Sequence, residues 1–311
     1  MTIRHTHIAT GTNDGTKQVS VDRWNEDHTI DAEVTLPLVA SPATPSADTL
    51  NIFARKIGGR MMLTQMGPSG LDTAFQPNLG GNKVALWMPP GGATTVPGVF
   101  GMAALTATGT ATTRAVATTN LLTRMTRIGY VSAATAASLS GAREALAKYT
   151  VGAGGLLGGF FARYRFGVSD AANVAGARMF VGLSSATGAP TNVEPSTILN
   201  CVGVAQLSSS TNLHIVWGGA SANTPIDLGA SFPANTSTAD AYELSLFAPA
   251  AGGAIHYQVT RLNTGDVATG SLTTGLPLGT TLLCHQLWRT NNATALAVGL
   301  DICGIYIETD Y

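Results

Sequence analysis

Histidine, carboxylate, aromatic and arginine side chains are the groups here that could do chemistry, and spacing decides what they could do together. His5 and His7 stand one residue apart. In a parallel homotrimer that H-x-H would gather imidazole pairs from every chain about the axis, and imidazole suits transition metals. An ordinary polar N-terminus accounts for the same residues, so they remain candidates only, and no metal or cofactor is expected. Glycoside hydrolysis needs two carboxylates flanking a sugar bond. Asp227, Asp240, Glu243, Asp266, Asp301, Glu308 and Asp310 are present, yet none forms a recognisable acid–base pair. The sequence holds no G-x-S-x-G, H-E-x-x-H or G-x-x-x-x-G-K-[ST]. The run Gly152–Gly159 lacks the lysine of a phosphate loop, and no enzymatic activity is expected. Trp217, Trp288, Tyr242 and Tyr257 are of types that stack on sugars, although on strands such residues more often fill a core. Arg163 and Arg165 share one strand face, where arginines are more often solvated or paired than ligand-binding. Cys201, Cys284 and Cys303 are far apart, without C-x-x-C spacing, and read as buried thiols.

Four segments must position these residues. Residues 1–40 are polar and centred on Val19–His28, with Ser20 or Asp22 able to cap a short turn of helix. They are too few to fold alone and read as an arm that docks elsewhere. Residues 41–100 predict a small β unit. It has a strand at Thr49–Arg55, a Gly58-Gly59 turn, a returning strand at Arg60–Met66 and a third at Val84–Met88. Residues 101–150 are rich in alanine and threonine, with almost no large side chain from Thr106 to Thr119. That predicts an extended, intertwined connector packed against identical chains. Within it Ser138–Tyr149 carries Leu139, Ala142, Leu146 and Tyr149 at helical spacing, with Ser140 a plausible N-cap, predicting a short helix. Residues 151–311 read as many short strands, from Phe160–Phe166 to Val298–Glu308, with a hairpin turn at Asn263–Asp266. The expectation is a jelly-roll β-sandwich.

Composition narrows the function. Charged residues are 11% of the chain, under half the roughly 25% usual for soluble domains. The net charge is −1, so neither a basic nucleic-acid-binding face nor a disordered polyelectrolyte is expected. Charge is unevenly spread: residues 1–178 carry a balance of +5 and residues 179–311 one of −6. A near-neutral surface promotes self-association, which suits a permanent oligomer. Nothing at the N-terminus reads as a signal peptide, and no apolar run approaches the roughly 20 residues of a membrane span.

Val19–Ile30, VSVDRWNEDHTI, resembles a V-S-x-x-x-W-N-x-x-H segment of structural proteins of tailed bacteriophages. Residues 51–92 are similar to the small shoulder domain that follows it there. Residues 117–149 and 243–311 resemble the remainder of the same proteins. The resemblance implies a mainly β homotrimeric fibre with an N-terminal anchor and a C-terminal concanavalin-A-like β-sandwich. On it, Val19, Val21, Trp24, Asn25 and His28 would attach the protein to the virion. The expected function is a trimeric tail fibre or appendage that reaches the host surface and contacts a glycan there. Its partners would be further copies of itself and other phage tail or capsid proteins. A head fibre or capsid decoration protein is the alternative, and a glycan-degrading tailspike enzyme the second.

Overall fold

The computed structural model describes residues 35–40, 42–46, 49–66, 72–74, 83–96, 99–153, 158–250 and 252–309. The expected attachment residues Val19, Val21, Trp24, Asn25 and His28, and the metal candidates His5 and His7, lie outside these. So does Asp310.

β1 (Asn51–Ile57), β2 (Arg60–Met66) and β3 (Asp72–Ala74) make an antiparallel sheet. The expected hairpin is therefore present. Its loop, Gly58-Gly59, has φ of +52° and +87°, the left-handed pair that a two-residue hairpin turn demands. There follow β4 (Lys83–Trp87), β5 (Thr106–Thr108), β6 (Thr110–Thr113), β7 (Ile128–Val131), β8 (Leu139–Arg143), β9 (Phe160–Val168) and β10 (Arg178–Ser184). Next come β11 (Cys201–Gln206), β12 (Leu213–Gly218), β13 (Ile226–Asp227), β14 (Tyr242–Ala248), β15 (Ile255–Arg261), β16 (Asp266–Leu272), β17 (Cys284–Thr290) and β18 (Gly299–Thr309).

These strands build two sheets. One runs β16-β15-β14-β9-β18-β7-β6, with β4 also paired to β18; the other runs β13-β12-β11-β10-β17-β8-β5. Period-two alternation explains how they face each other. On β9, Phe160, Ala162, Tyr164 and Phe166 enter the core, while Arg163 and Arg165 take the opposite face. Met179, Val181 and Leu183 of β10 and Val202 and Val204 of β11 belong to the same core cluster. Each buried valine, leucine, phenylalanine or methionine among these contributes about 1.5–3 kcal/mol relative to exposure. The expected all-β sandwich is therefore what the structure shows.

Three expectations need correction. Val84–Met88, expected as the third strand of the small β unit, falls in β4, which pairs with β18 of the sandwich instead. The helix expected from Ser140 to Tyr149 is absent: residues 139–143 are strand β8, in register with Gln286–Thr290 of β17. A three-turn helix is marginal by itself, and Gly141 weakens it further. The ladder with β17 offers a full set of backbone partners instead, and a Cβ at Gly141 would lie 2.1 Å from the Leu287 carbonyl oxygen. The α-helix among the described residues is a single turn, Leu121–Arg124, capped by Asn120, and Pro195–Thr197 forms a 3-10 turn. Nor does the sandwich begin at residue 151. Thr106–Thr113 runs along the edge of one sheet as β5, bends at Gly109 (φ +71°) and continues along the edge of the other as β6. Such a bend is how a chain changes sheets at a sandwich corner. Small β-branched residues suit this edge, so their lack of bulk does not require a neighbouring chain to fill a core. β7 and β8 carry Ile128, Tyr130 and Ala142 into the common core.

β18 collects the N-terminal elements. Its first half pairs with β7, its second half with β4, and its whole length with β9 across a bulge between Ile302 and Gly304. Its side chains add buried ion pairs. Asp301 is 1% exposed and accepts from Arg114 Nε at 3.1 Å and Arg127 Nε at 2.8 Å. Arg127 Nη1 also donates to the carbonyls of Thr123 and Met125, fixing the helical turn. Between the sheets, Arg289 donates to Asp170 through Nε (2.9 Å) and Nη2 (2.5 Å), and through Nη1 to Gln206 (2.6 Å). Removing one partner of such a pair strands a buried charge, at a cost of about 3–5 kcal/mol. Asp301→Ala and Arg127→Ala should each lose about that much in urea unfolding, and the double variant less than their sum. Additive losses would show that the two residues act independently.

Candidate functional site

The structure separates the sequence candidates. Trp288 is buried on the outer face of the second sheet, 6.3 Å from Phe180 between ring centroids, beneath the segment that follows β10. Tyr242 is buried, with its hydroxyl donating to the Pro233 carbonyl at 2.5 Å. Trp217 is half-buried and donates to the Thr274 carbonyl at 3.0 Å. Trp288 and Tyr242 present no open aromatic face, and Tyr257, the fourth aromatic candidate, is buried in the core cluster. Arg163 and Arg165 both pair with Glu243. Burial alone would raise the Glu243 carboxyl, but the two guanidiniums hold it below the usual range. Asp240 pairs with Arg261 at 2.9 Å, and Glu308 pairs with Arg60. Asp227 accepts from Asn212 and from the Gly229 backbone, and Asp266 accepts from Thr264. Burial pushes the thiols of Cys201, Cys284 and Cys303 up to about 12, 11 and 12, which leaves them protonated at neutral pH. Among the described residues no group of three or more histidine, cysteine, aspartate or glutamate side chains is placed to hold a metal ion.

Where the β1–β2 hairpin tip meets β15 and β16, on the outer face of the first sheet, there is a cleft of about 220 Å³. Arg60 anchors the tip. Its guanidinium lies 5.6 Å from the ring centroid of Phe161 and 5.8 Å from that of Phe247, and it pairs with the buried Glu308. This brings Gly58 and Gly59 onto the sheet, where the Gly58 N–H donates to Gln258 Oε1 at 3.3 Å. Gly59 must lack a side chain, because a Cβ would come within 2.5 Å of the His256 Cβ.

Lys56, His256, Gln258, Thr269 and Ser271 supply the polar lining. Register aligns them: His256 lies opposite Ser271, and Gln258 opposite Thr269. His256 stacks on Phe247 (6.0 Å, 23°), and its Nδ1 is 2.7 Å from Ser271 Oγ. Partial burial, and then the charge of Lys56, lower its pKa, so the ring is neutral at pH 7. The lining thus offers hydroxyl, amide, imidazole and ammonium groups with no carboxylate, a set that can exchange hydrogen bonds with a polyol. In the sequence Gly58-Gly59 reads only as a turn, and His256 and Ser271 do not stand out as site residues. The available signal was the outward alternation of His256 and Gln258 on β15, matched by Thr269 and Ser271 on β16.

A second constellation is closed from solvent. Tyr164 Oη of β9 lies 2.9 Å from His285 Nδ1 of β17. His285 Nε2 lies 3.9 Å from Glu144 Oε2, and Glu144 Oε1 pairs with Lys148 at 2.6 Å. The types would suit proton transfer, but Glu144, Tyr164 and His285 are completely buried, so no external substrate reaches them.

No protein-family model and no curated protein sequence matches the chain. Similar solved structures include peanut lectin with a nonamer peptide, at 12% identity and TM-score 0.48, covering 73% of this chain and 97% of that one. Arcelin-5, a lectin-like defence protein from Phaseolus vulgaris, is 8% identical at TM-score 0.45, covering 74% and 99%. A protein of unknown function from Shewanella oneidensis MR-1 is 15% identical at TM-score 0.44, covering 74% and 87%. At TM-scores below 0.5, these likenesses carry no inference about what this chain binds.

Burial, and then the charge of Lys148, lower the His285 pKa to about 3 from an ordinary 6.5. The unfolded chain binds this proton below about pH 6.5 and the folded chain only near 3. Stability should therefore fall as pH drops through that window, by up to about 1.4 kcal/mol per unit. Between pH 6.5 and 5, above most carboxylate titrations, His285→Gln should flatten the slope of unfolding free energy against pH. An unchanged slope in the variant would refute this assignment.

Proposed function

We propose that this protein is a homotrimeric structural appendage of a tailed bacteriophage, non-catalytic, whose concanavalin-A-like sandwich contacts a host-surface glycan through the hairpin-roofed cleft. The carrying observation is that cleft, where Arg60 holds two glycines over a row of uncharged hydrogen-bonding side chains. Sugars present hydroxyls that donate and accept, and Ser271, Thr269, Gln258 and neutral His256 can answer both roles. The resemblance of Val19–Ile30 and of residues 51–92 to phage structural proteins supports attachment through the N-terminal arm to the tail. Near-neutral charge supports a permanent assembly, in which three weak sites gain by avidity. The non-catalytic reading rests on the carboxylates: Asp240, Glu243, Asp301 and Glu308 are each neutralised by arginine.

The test uses whole particles. Full-length protein should weigh three copies in solution, and antibody against residues 151–311 should mark the tail. Virions carrying Thr269→Trp, which fills the cleft from an exposed position, should retain the protein but adsorb about tenfold less, a loss of about 1.4 kcal/mol. A stable monomer at micromolar concentration would overturn the trimer. Label over the head would favour a capsid fibre, and unchanged adsorption would remove the cleft from recognition.

A further inference from the structure

The interior of the sandwich holds a cluster of polar atoms that the protein leaves unanswered. Glu144 Oε2, His285 Nε2 and Tyr149 Oη are all buried and make no hydrogen bond among the described residues. The first two face each other from different elements, and the ring of Tyr149 lies beside His285. Glu144 follows β8, His285 is central on β17, and Tyr149 bridges to Leu283 just ahead of that strand. The rings of Tyr149 and His285 are 5.1 Å apart between centroids. The outer oxygen of the carboxylate is already occupied, since Oε1 accepts from Lys148 Nζ at 2.6 Å and from the Ala103 backbone N–H at 3.4 Å. Oε2 is the one turned toward His285.

The 3.9 Å between His285 Nε2 and Glu144 Oε2 is too long for a direct hydrogen bond, which needs about 2.7–3.2 Å. It is short enough for a single bent bridge, because two such bonds through one oxygen span up to about 5 Å. Buried polar atoms left without partners cost about 1–3 kcal/mol each, so native cores supply such atoms with a partner, ordered water included. Interior waters answer such groups, making about three hydrogen bonds apiece. An apolar ligand would leave the same atoms unpaired. A cation would find one carboxylate oxygen already shared with Lys148.

We propose that this cluster is a built binding site for one internal water molecule, which accepts from His285 Nε2–H, donates to Glu144 Oε2 and bonds Tyr149 Oη. In this arrangement the Tyr164 hydroxyl donates to Nδ1, 2.9 Å away, and the neutral ring carries its proton on Nε2, facing the water. The water then completes a chain running Tyr164, His285, water, Glu144, Lys148. That chain crosses from β9 of one sheet to β17 of the other and on to the segment after β8. It gives the sandwich a polar strut at the place where the 101–103 segment and Lys148 close over its end, and it is independent of the glycan reading.

The wild-type protein suffices for the test. Crystals diffracting to about 1.5 Å should show one full-occupancy peak within about 3.2 Å of Nε2 and Oε2. The ring nitrogens should carry the nitrogen-15 shifts of the neutral Nε2–H tautomer at pH 7. The Nε2 proton should give a cross-peak to a long-lived water, and that cross-peak should persist in Tyr149→Phe, which keeps two of the three partners. A direct bond between Nε2 and Oε2, an empty site without a water cross-peak, or an Nδ1–H tautomer would each overturn the proposal.

Discussion

The pairing of the last strand, β18, with elements from the first third of the chain is the constraint on which the remaining structure depends. Loop closure between residues so distant in sequence is entropically unfavourable and must be offset by what forms at the end of it. β18 supplies backbone ladders to β4, β7 and β9. It also supplies Asp301 and Glu308, which tie down Arg114, Arg127 and Arg60. Without it the helical turn at Leu121–Arg124 loses the carboxylate that orients Arg127. Without Glu308 the hairpin loses half the anchor that holds its tip on the sheet. The outer-face cleft therefore exists because a C-terminal carboxylate and an N-terminal arginine meet.

Much of this fold can be read in the residues. The alternation from Phe160 to Phe166 predicts both the strand and its two faces, and Gly58-Gly59 predicts the hairpin. The strands from β10 to β18 follow from short apolar runs between turn residues, β13 excepted. What could not be read is which strand each segment would join. Val84–Met88 reads as a third strand of the hairpin unit, but β4 pairs with β18. Leu139 to Tyr149 has a helical spacing that became irrelevant once β17 offered a ladder and Gly141 allowed close backbone approach. Thr106–Thr113 has no bulk because it is the edge of two sheets at once, a role that no local window displays.

The candidate site was less legible than the fold. The aromatic residues that draw attention as sugar platforms, Trp288 and Tyr242, are packed away, as strand aromatics usually are. The arginines that stand out, Arg163 and Arg165, are engaged by Glu243 from the neighbouring strand. The cleft is lined instead by ordinary residues whose relevance arises only when a hairpin some 200 positions away in sequence lands on β15. A buried network such as Tyr164–His285–Glu144 is equally invisible in advance, since its members come from three separate segments.

Hydrogen exchange along the backbone in rising denaturant tests the central claim most directly. If β18 closes one cooperative sandwich, the amides of Ile128–Val131 and Leu139–Arg143 should be protected as strongly as those of Phe160–Val168. All should open together with Gly299–Thr309 in a single transition. Early exchange of β7 and β8 while β9 and β18 stay protected would contradict it, and would return the 101–150 segment to the role of a separate connector.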